Sequence, residues 1–212
     1  MRVLAVVVLA FLCAPVSVLA QNGQLDLKMG AAFTTLSGES ESAFTGRSGL
    51  TASLGYRYTL RGALHLQPEL VYIVKGANAE SPARIDDDGN LLLPIEARFD
   101  LTYLELPVLL VVERDGSGAA HPRFEIGPSV AYNLESIIHY GVAGSDQRFS
   151  ERDESVEALD YGLVVGLGMT FDLGIERMRA GVRAHLGFAN ARERDDLPLY
   201  NRGFVVYLGL AL

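Results

Sequence analysis

From residue 25 onward, apolar and polar side chains alternate along the chain, and helical spacing is scarce. Leu25, Leu27, Met29, Ala31 and Phe33 share one parity, and Asp26, Lys28, Gly30 and Thr34 hold the other. The same alternation recurs in Leu50, Ala52, Leu54, Tyr56 and Tyr58, and in Leu64, Leu66, Pro68, Leu70, Tyr72 and Val74. Phe99, Leu101 and Tyr103 begin a fourth run that changes phase, so that Leu104, Leu106, Val108 and Leu110 carry its apolar face onward. A β-bulge near Tyr103 and Leu104 is the expected cause of that slip. Four further runs follow: Phe124 to Tyr132, Leu159 to Phe171, Met178 to Phe188 and Phe204 to Leu212. Eight strands result, each with the ~9–11 residues that cross a bilayer at a tilt.

The links between the runs decide how the strands are joined. Residues 37–47, 76–95, 136–157 and 190–200 form long links, and residues 60–62, 114–121 and 173–177 form short ones. Long and short links in strict alternation predict an all-β fold, an eight-stranded antiparallel up-and-down transmembrane β-barrel with long outer loops and short periplasmic turns. An even strand number then puts both termini in the periplasm.

Charge placement supports this arrangement. The apolar face of the eight runs carries no Asp, Glu, Lys or Arg. The opposite face carries Lys28, Arg57, Arg98, Arg123, Arg179 and Arg183 against Asp26, Glu69, Asp100, Glu125, Asp160 and Asp172. The interior of an eight-stranded barrel is just wide enough for side chains to fill. A lumen charge network of Lys28, Arg57, Glu69, Arg98, Asp100, Arg123, Glu125, Asp160, Arg179 and Arg183 is therefore expected to plug it. The four long links hold the acidic surplus, 14 acidic against 6 basic residues.

Composition narrows the class further. The 212 residues suit one domain, and a net charge of -8 excludes a generic nucleic-acid binder. Arg2, the apolar stretch from Val3 to Leu12 and the small-residue pattern ending at Ala20 predict a cleaved signal peptide over residues 1–20, with the barrel domain over 21–212. The sole cysteine, Cys13, lies in that leader, so the remaining chain has no disulfide and no cysteine metal site.

Several segments resemble a known family. Leu66-Gln67-Pro68-Glu69-Leu70-Val71-Tyr72 followed by Lys75-Gly76 resembles the third strand of the eight-stranded outer-membrane β-barrel domain proteins labelled porin family or PorT-like. Tyr103 to Leu109, Gly127 to Tyr132 and Asp160 to Gly168 resemble the fourth, fifth and sixth strands. The resemblance implies an outer-membrane barrel among lipids and lipopolysaccharide, delivered by the barrel-assembly machinery, with no family catalytic residues to carry over. Two departures stand out: the chain ends in Leu212 rather than an aromatic, and it lacks tryptophan. An interfacial girdle must then come from Tyr56, Tyr58, Tyr72, Tyr103, Tyr132, Tyr161 and Tyr207 with phenylalanines. Pro68, Pro107 and Pro128 within the runs imply bulges or strand ends.

Candidate chemistry is sparse. His65 or His185 with an inward Ser53 or Ser129 would suit acyl transfer, although lumen packing explains these residues as well. Asp86, Asp87 and Asp88 before Gly89-Asn90 lack the ligand spacing of a calcium loop and read as a solvated turn. Gly162, Gly166 and Gly168 read as room for large side chains in the lumen. No catalytic set, metal site or cofactor is expected. The function expected is a non-enzymatic, structural or envelope-interaction role, with an envelope protein or extracellular ligand at the loops. Two other readings stay open: a soluble lipocalin-like barrel with its apolar face inward, and a membrane-embedded lipid hydrolase.

Overall fold

The structure, a computed structural model, describes residues 23–38, 44–85, 91–113, 118–145, 147–174, 177–191 and 198–212. The leader expected over residues 1–20 and the acidic run 86–90 lie outside these residues. Eight long strands dominate: β1 (Gly23–Gly38), β2 (Arg47–Arg61), β3 (Leu64–Ser81), β4 (Ile95–Glu113), β5 (Ala120–Val142), β6 (Leu159–Asp172), β7 (Arg177–Gly187) and β8 (Leu199–Ala211). Each pairs antiparallel with its sequence neighbour, and β8 returns to β1 from Gly38↔Leu199 to Asp26↔Ala211, closing the ring. Closure leaves no unpaired edge within the barrel wall, which is what allows strands to cross a lipid phase.

The parity read from the sequence is the parity of the wall. Met29, Leu50, Leu167 and Leu208 are exposed on the outside, and Asp26, Lys28, Glu69, Glu125 and Arg183 are buried on the inside. A lipocalin-like interior requires the reverse orientation, so that reading is overturned. Among the described residues there is no helix long and apolar enough to cross a membrane, which says nothing of a crossing by strands.

Three expectations are corrected. The fourth run has no phase slip. Leu101 and Tyr103 are buried on the same parity as Glu105, Leu109, Val111 and Glu113, and the bulge lies on β5 instead. There Thr102↔Glu135 is followed by Tyr103↔Asn133, leaving Leu134 as the extra residue. Tyr103 and Tyr207 therefore leave the outer girdle for the lumen, while Tyr72 and Tyr161 remain outside. The prolines produce no bulges either. Two pairs drop out of the β3–β4 ladder between Pro68↔Val108 and Val71↔Glu105, and two more out of the β4–β5 ladder between Pro107↔Ser129 and Leu110↔Ile126, with register unchanged. A missing amide thus opens the ladder locally without bending it.

The long links are shorter than their sequence suggests, because β3, β4 and β5 run past the lipid-facing zone. Outward positions on β4 change from Val112, Leu110, Val108, Leu106 and Leu104 to Thr102, Asp100, Arg98 and Glu96. Above that change, β3 still pairs β4 to Ser81↔Ile95 and β4 pairs β5 to Ile95↔Val142. Phe44 and Thr45 add to β3 on one side, and Arg148–Arg152 adds to β5 on the other. This sheet stands as a tongue on the long-loop end of the barrel.

Candidate functional site

Period-2 alternation delivers every inward side chain to one narrow lumen, where they sort into tiers along the barrel axis. In the middle tier, Arg183 from β7 donates from Nη1 and Nη2 to the two Glu69 oxygens at 2.6 and 2.8 Å. It also donates to both Glu125 oxygens, from Nε at 3.0 Å and Nη2 at 2.8 Å. Lys28 donates to Glu69 from the β1 side. The Tyr207 hydroxyl donates to Glu125 Oε1 at 2.7 Å, and its ring lies 4.9 Å from the Arg183 guanidinium. This tier is tightly packed: a Cβ on Gly166 would sit 2.8 Å from Glu125 and 3.0 Å from Arg183, and one on Gly181 would meet the Tyr207 ring at 2.8 Å. The glycine run of β6 makes room for large side chains here, as expected of Gly166.

Toward the short-turn end, Arg123 donates to Glu113 at 2.8 Å, to Gln67 at 2.5 Å and to Glu125 at 3.2 Å. Arg57 pairs with the other Glu113 oxygen at 2.8 Å and donates to Gln24 at 2.6 Å. Arg179 donates to the same Gln24 oxygen at 2.8 Å and pairs with Asp26. Toward the long-loop end, Lys75 and His185 approach the two oxygens of Glu105 at 3.0 and 3.2 Å, and Asn201 donates to Asp160 at 3.1 Å and to Tyr103 at 3.3 Å. Six lumen cations, Lys28, Arg57, Lys75, Arg123, Arg179 and Arg183, thus face six carboxylates, Asp26, Glu69, Glu105, Glu113, Glu125 and Asp160, all buried. Removing charges from water is costly, and this arrangement offsets the cost through multiple charge-assisted hydrogen bonds for most members.

Arg98 and Asp100 are not brought to this cluster. They lie on the outward face of the tongue, where Arg98 clamps Asp100 with bonds of 2.8 and 2.7 Å and Arg47 joins Asp100 at 2.9 Å. Asp172 sits at the short-turn end with His121 at 3.0 Å and Arg177 at 2.9 Å. Glu105, Glu113 and Lys75 were missed in the sequence, although strict odd parity from Leu101 to Glu113 would have found the first two.

Above the charged tiers the lumen becomes apolar. Leu36, Ile73, Ala77, Leu101, Val205 and Ala191 form one buried cluster, with Phe44 and Val156 packed against it. Loop backbone ties this cap down, through Glu157 N to Ala191 O at 3.1 Å and Ala191 N to Leu199 O at 2.7 Å. Among the described residues, two cavities inside the wall, one beside Arg183 and Tyr207 and one beside Glu105 and Asp160, are about 10 Å³ each. Such spaces are about the size of one water.

On the exposed tongue, His139 Nδ1 lies 2.7 Å from the Ser150 hydroxyl and its Nε2 lies 3.7 Å from Asp100. His65 contacts Thr59 at 3.0 Å and the Glu113 carbonyl at 3.3 Å, and His185 contacts Glu105. No group of His, Cys, Asp or Glu among the described residues has the geometry to hold a metal ion.

No curated protein sequence matches the chain significantly. Similar solved structures include Neisserial surface protein A, at 12% identity and TM-score 0.49, covering 91% of this chain and 99% of that one. Ail, the attachment invasion locus protein of Yersinia pestis, has 13% identity and TM-score 0.42, covering 91% and 100%. The outer membrane enzyme PagL has 16% identity and TM-score 0.42, covering 87% and 97%. A family model described as outer membrane protein beta-barrel domain matches residues 19–191. With its uncharged outer wall, closed ring of eight strands and match over most of its length, the chain belongs to that outer-membrane β-barrel family.

Proposed function

We propose that this outer-membrane barrel is a non-enzymatic structural and envelope-interaction protein with a closed lumen. The observation that carries the reading is the filled interior: ionic tiers below, an apolar cap above, and residual spaces of about 10 Å³ between them. Neither a hydrated solute nor an acyl chain fits such spaces, so His65 and His185 serve packing rather than lipid hydrolysis. In this reading the ten lumen charges expected from the sequence lose Arg98 and Asp100 and gain Lys75, Glu105, Glu113 and Asp26.

The long-loop end faces the cell exterior and both termini face the periplasm. Lipids and lipopolysaccharide surround the wall, the barrel-assembly machinery inserts it, and the outer end meets an envelope or extracellular partner. Planar-bilayer recording of the purified full chain tests the closed lumen. Baseline current at all applied voltages is expected, and a steady single-channel conductance would overturn it. Orientation is tested on intact cells with an impermeant maleimide: a Ser145→Cys variant should label, and an Ala63→Cys variant should label only after permeabilisation.

A further inference from the structure

Among the described residues, the tongue above the membrane ends in an open sheet edge. Arg148–Arg152 pairs with β5 on one side, from Ile137↔Arg152 to Gly141↔Arg148, and no described strand pairs with its other side. All five residues are exposed. Asp153 N donates to Ser136 O at 3.0 Å. Antiparallel bonding alternates every second residue, so Glu151 and Phe149 bond inward and Arg148, Ser150 and Arg152 direct their backbone groups to the free edge. An unprotected row of this kind is a template for another strand.

The two faces beside that edge differ in chemistry. On the outward face stand Arg152 and Arg148, the latter 3.7 Å from Glu96, with His139 beside Ser150 and Arg98 clamped on Asp100 on the next strands. Asp153, next along the chain, accepts from the Ser155 backbone and hydroxyl at 3.0 and 2.6 Å, so its carboxylate is engaged locally. On the inner face Phe149 is 56% exposed and stacks on Tyr140, with ring centroids 5.8 Å apart. Ile95 and Val142 continue that apolar face, both exposed, and below them it merges with the Phe44–Phe99 contact over the cap of the lumen.

We propose that Arg148–Arg152 captures an extended segment of a partner protein by antiparallel strand addition. The segment carries acidic side chains on the outward face, opposite Arg148 and Arg152, and an apolar side chain on the inner face, beside Phe149. Backbone pairing supplies affinity and the alternate side chains supply selectivity. A second copy in the same membrane cannot be this partner, because it presents the same strand running in the same direction toward the lipid. The proposal rests on the long-loop end facing outward.

Anisotropy of a fluorescent peptide that alternates acidic and apolar residues, titrated with the full chain in detergent micelles, provides the test. A charge-reversed peptide with lysine at each acidic position is the comparison. Ser150→Pro removes one edge amide and leaves the β5 ladder intact, so it should weaken binding about tenfold or more. Arg148→Glu combined with Arg152→Glu should exchange the preference between the two peptides. Heat-shifted mobility in SDS reports that each variant is a folded barrel. Equal binding by wild type and a folded Ser150→Pro barrel, equal binding of both peptides, or no binding by wild type would each overturn the proposal. Because micelles expose both ends, these outcomes are independent of the maleimide result, which alone decides orientation.

Discussion

The two halves of the lumen are filled by different forces. In the middle and toward the short turns, arginines and carboxylates from six of the eight strands interlock, with bonds of 2.5–3.2 Å from Arg123 and Arg183. Toward the long loops, Ile73, Ala77, Leu101 and Leu36 pack as an ordinary apolar core under a loop cap. Ionic contacts are directional, so the lower half specifies which strand faces which. Apolar contacts are not, so the upper half adds burial without fixing register. Buried charge is costly to leave unpaired, and a lost methylene is not, so the halves should respond unequally to truncation.

Arg183→Ala should have the largest effect, because it leaves the Glu69 and Glu125 carboxylates adjacent and short of their main partner. A loss of about 3–5 kcal/mol is expected in urea titrations of the folded band. Adding Glu69→Gln and Glu125→Gln should recover part of that loss, and no recovery would mean Arg183 acts by packing alone. Leu163→Arg puts a charge at mid-wall on the lipid face, opposite Pro128 and Leu186. It should cost about 2–4 kcal/mol and lower the yield of heat-modifiable protein in the outer membrane. In the upper half Ile73→Val should cost only about 0.5–1.5 kcal/mol in the same titration. A cost equal to that of Arg183→Ala would erase the distinction between the halves. The smallest effect is expected from Arg98→Ala, whose exposed pair with Asp100 is worth less than about 1 kcal/mol and should weaken further in salt.

The sequence made the outer wall legible for a physical reason. Lipid tolerates no charge over eight strands, so one uncharged parity survives throughout, as in Leu159 to Phe171. The inner wall was legible only where it is charged. Around Leu101 and Tyr103 the inward parity is apolar, because the upper lumen is itself an apolar core, and the outward parity is polar, with Arg98, Asp100 and Thr102. The apolar parity therefore changes sides along the strand without any slip of the chain. That change of sides suggested a slip on β4, moved Tyr103 to the girdle and hid Glu105 and Glu113. The true irregularity, Leu134 on β5, lies between segments whose parity is weak. Tyr207 was misplaced for a related reason: tyrosine suits an interface as well as a lumen carboxylate, and only Glu125 across the barrel distinguishes them. The tongue was hidden because its strands carry polar residues on their outward side and read as loop.

The seam between β1 and β8 also sets the order in which this protein can be made. β1 finds one of its two partners only in Leu199–Ala211, near the far end of the chain, with Leu25 and Leu212 exchanging backbone bonds at 3.1 and 2.8 Å. Until that segment has been synthesised and exported, β1 and β7 each present a bare edge that lipid cannot solvate. A nascent chain therefore has no stable partly inserted form to rest in: it must be kept unfolded as it crosses the periplasm and committed to the membrane in one step.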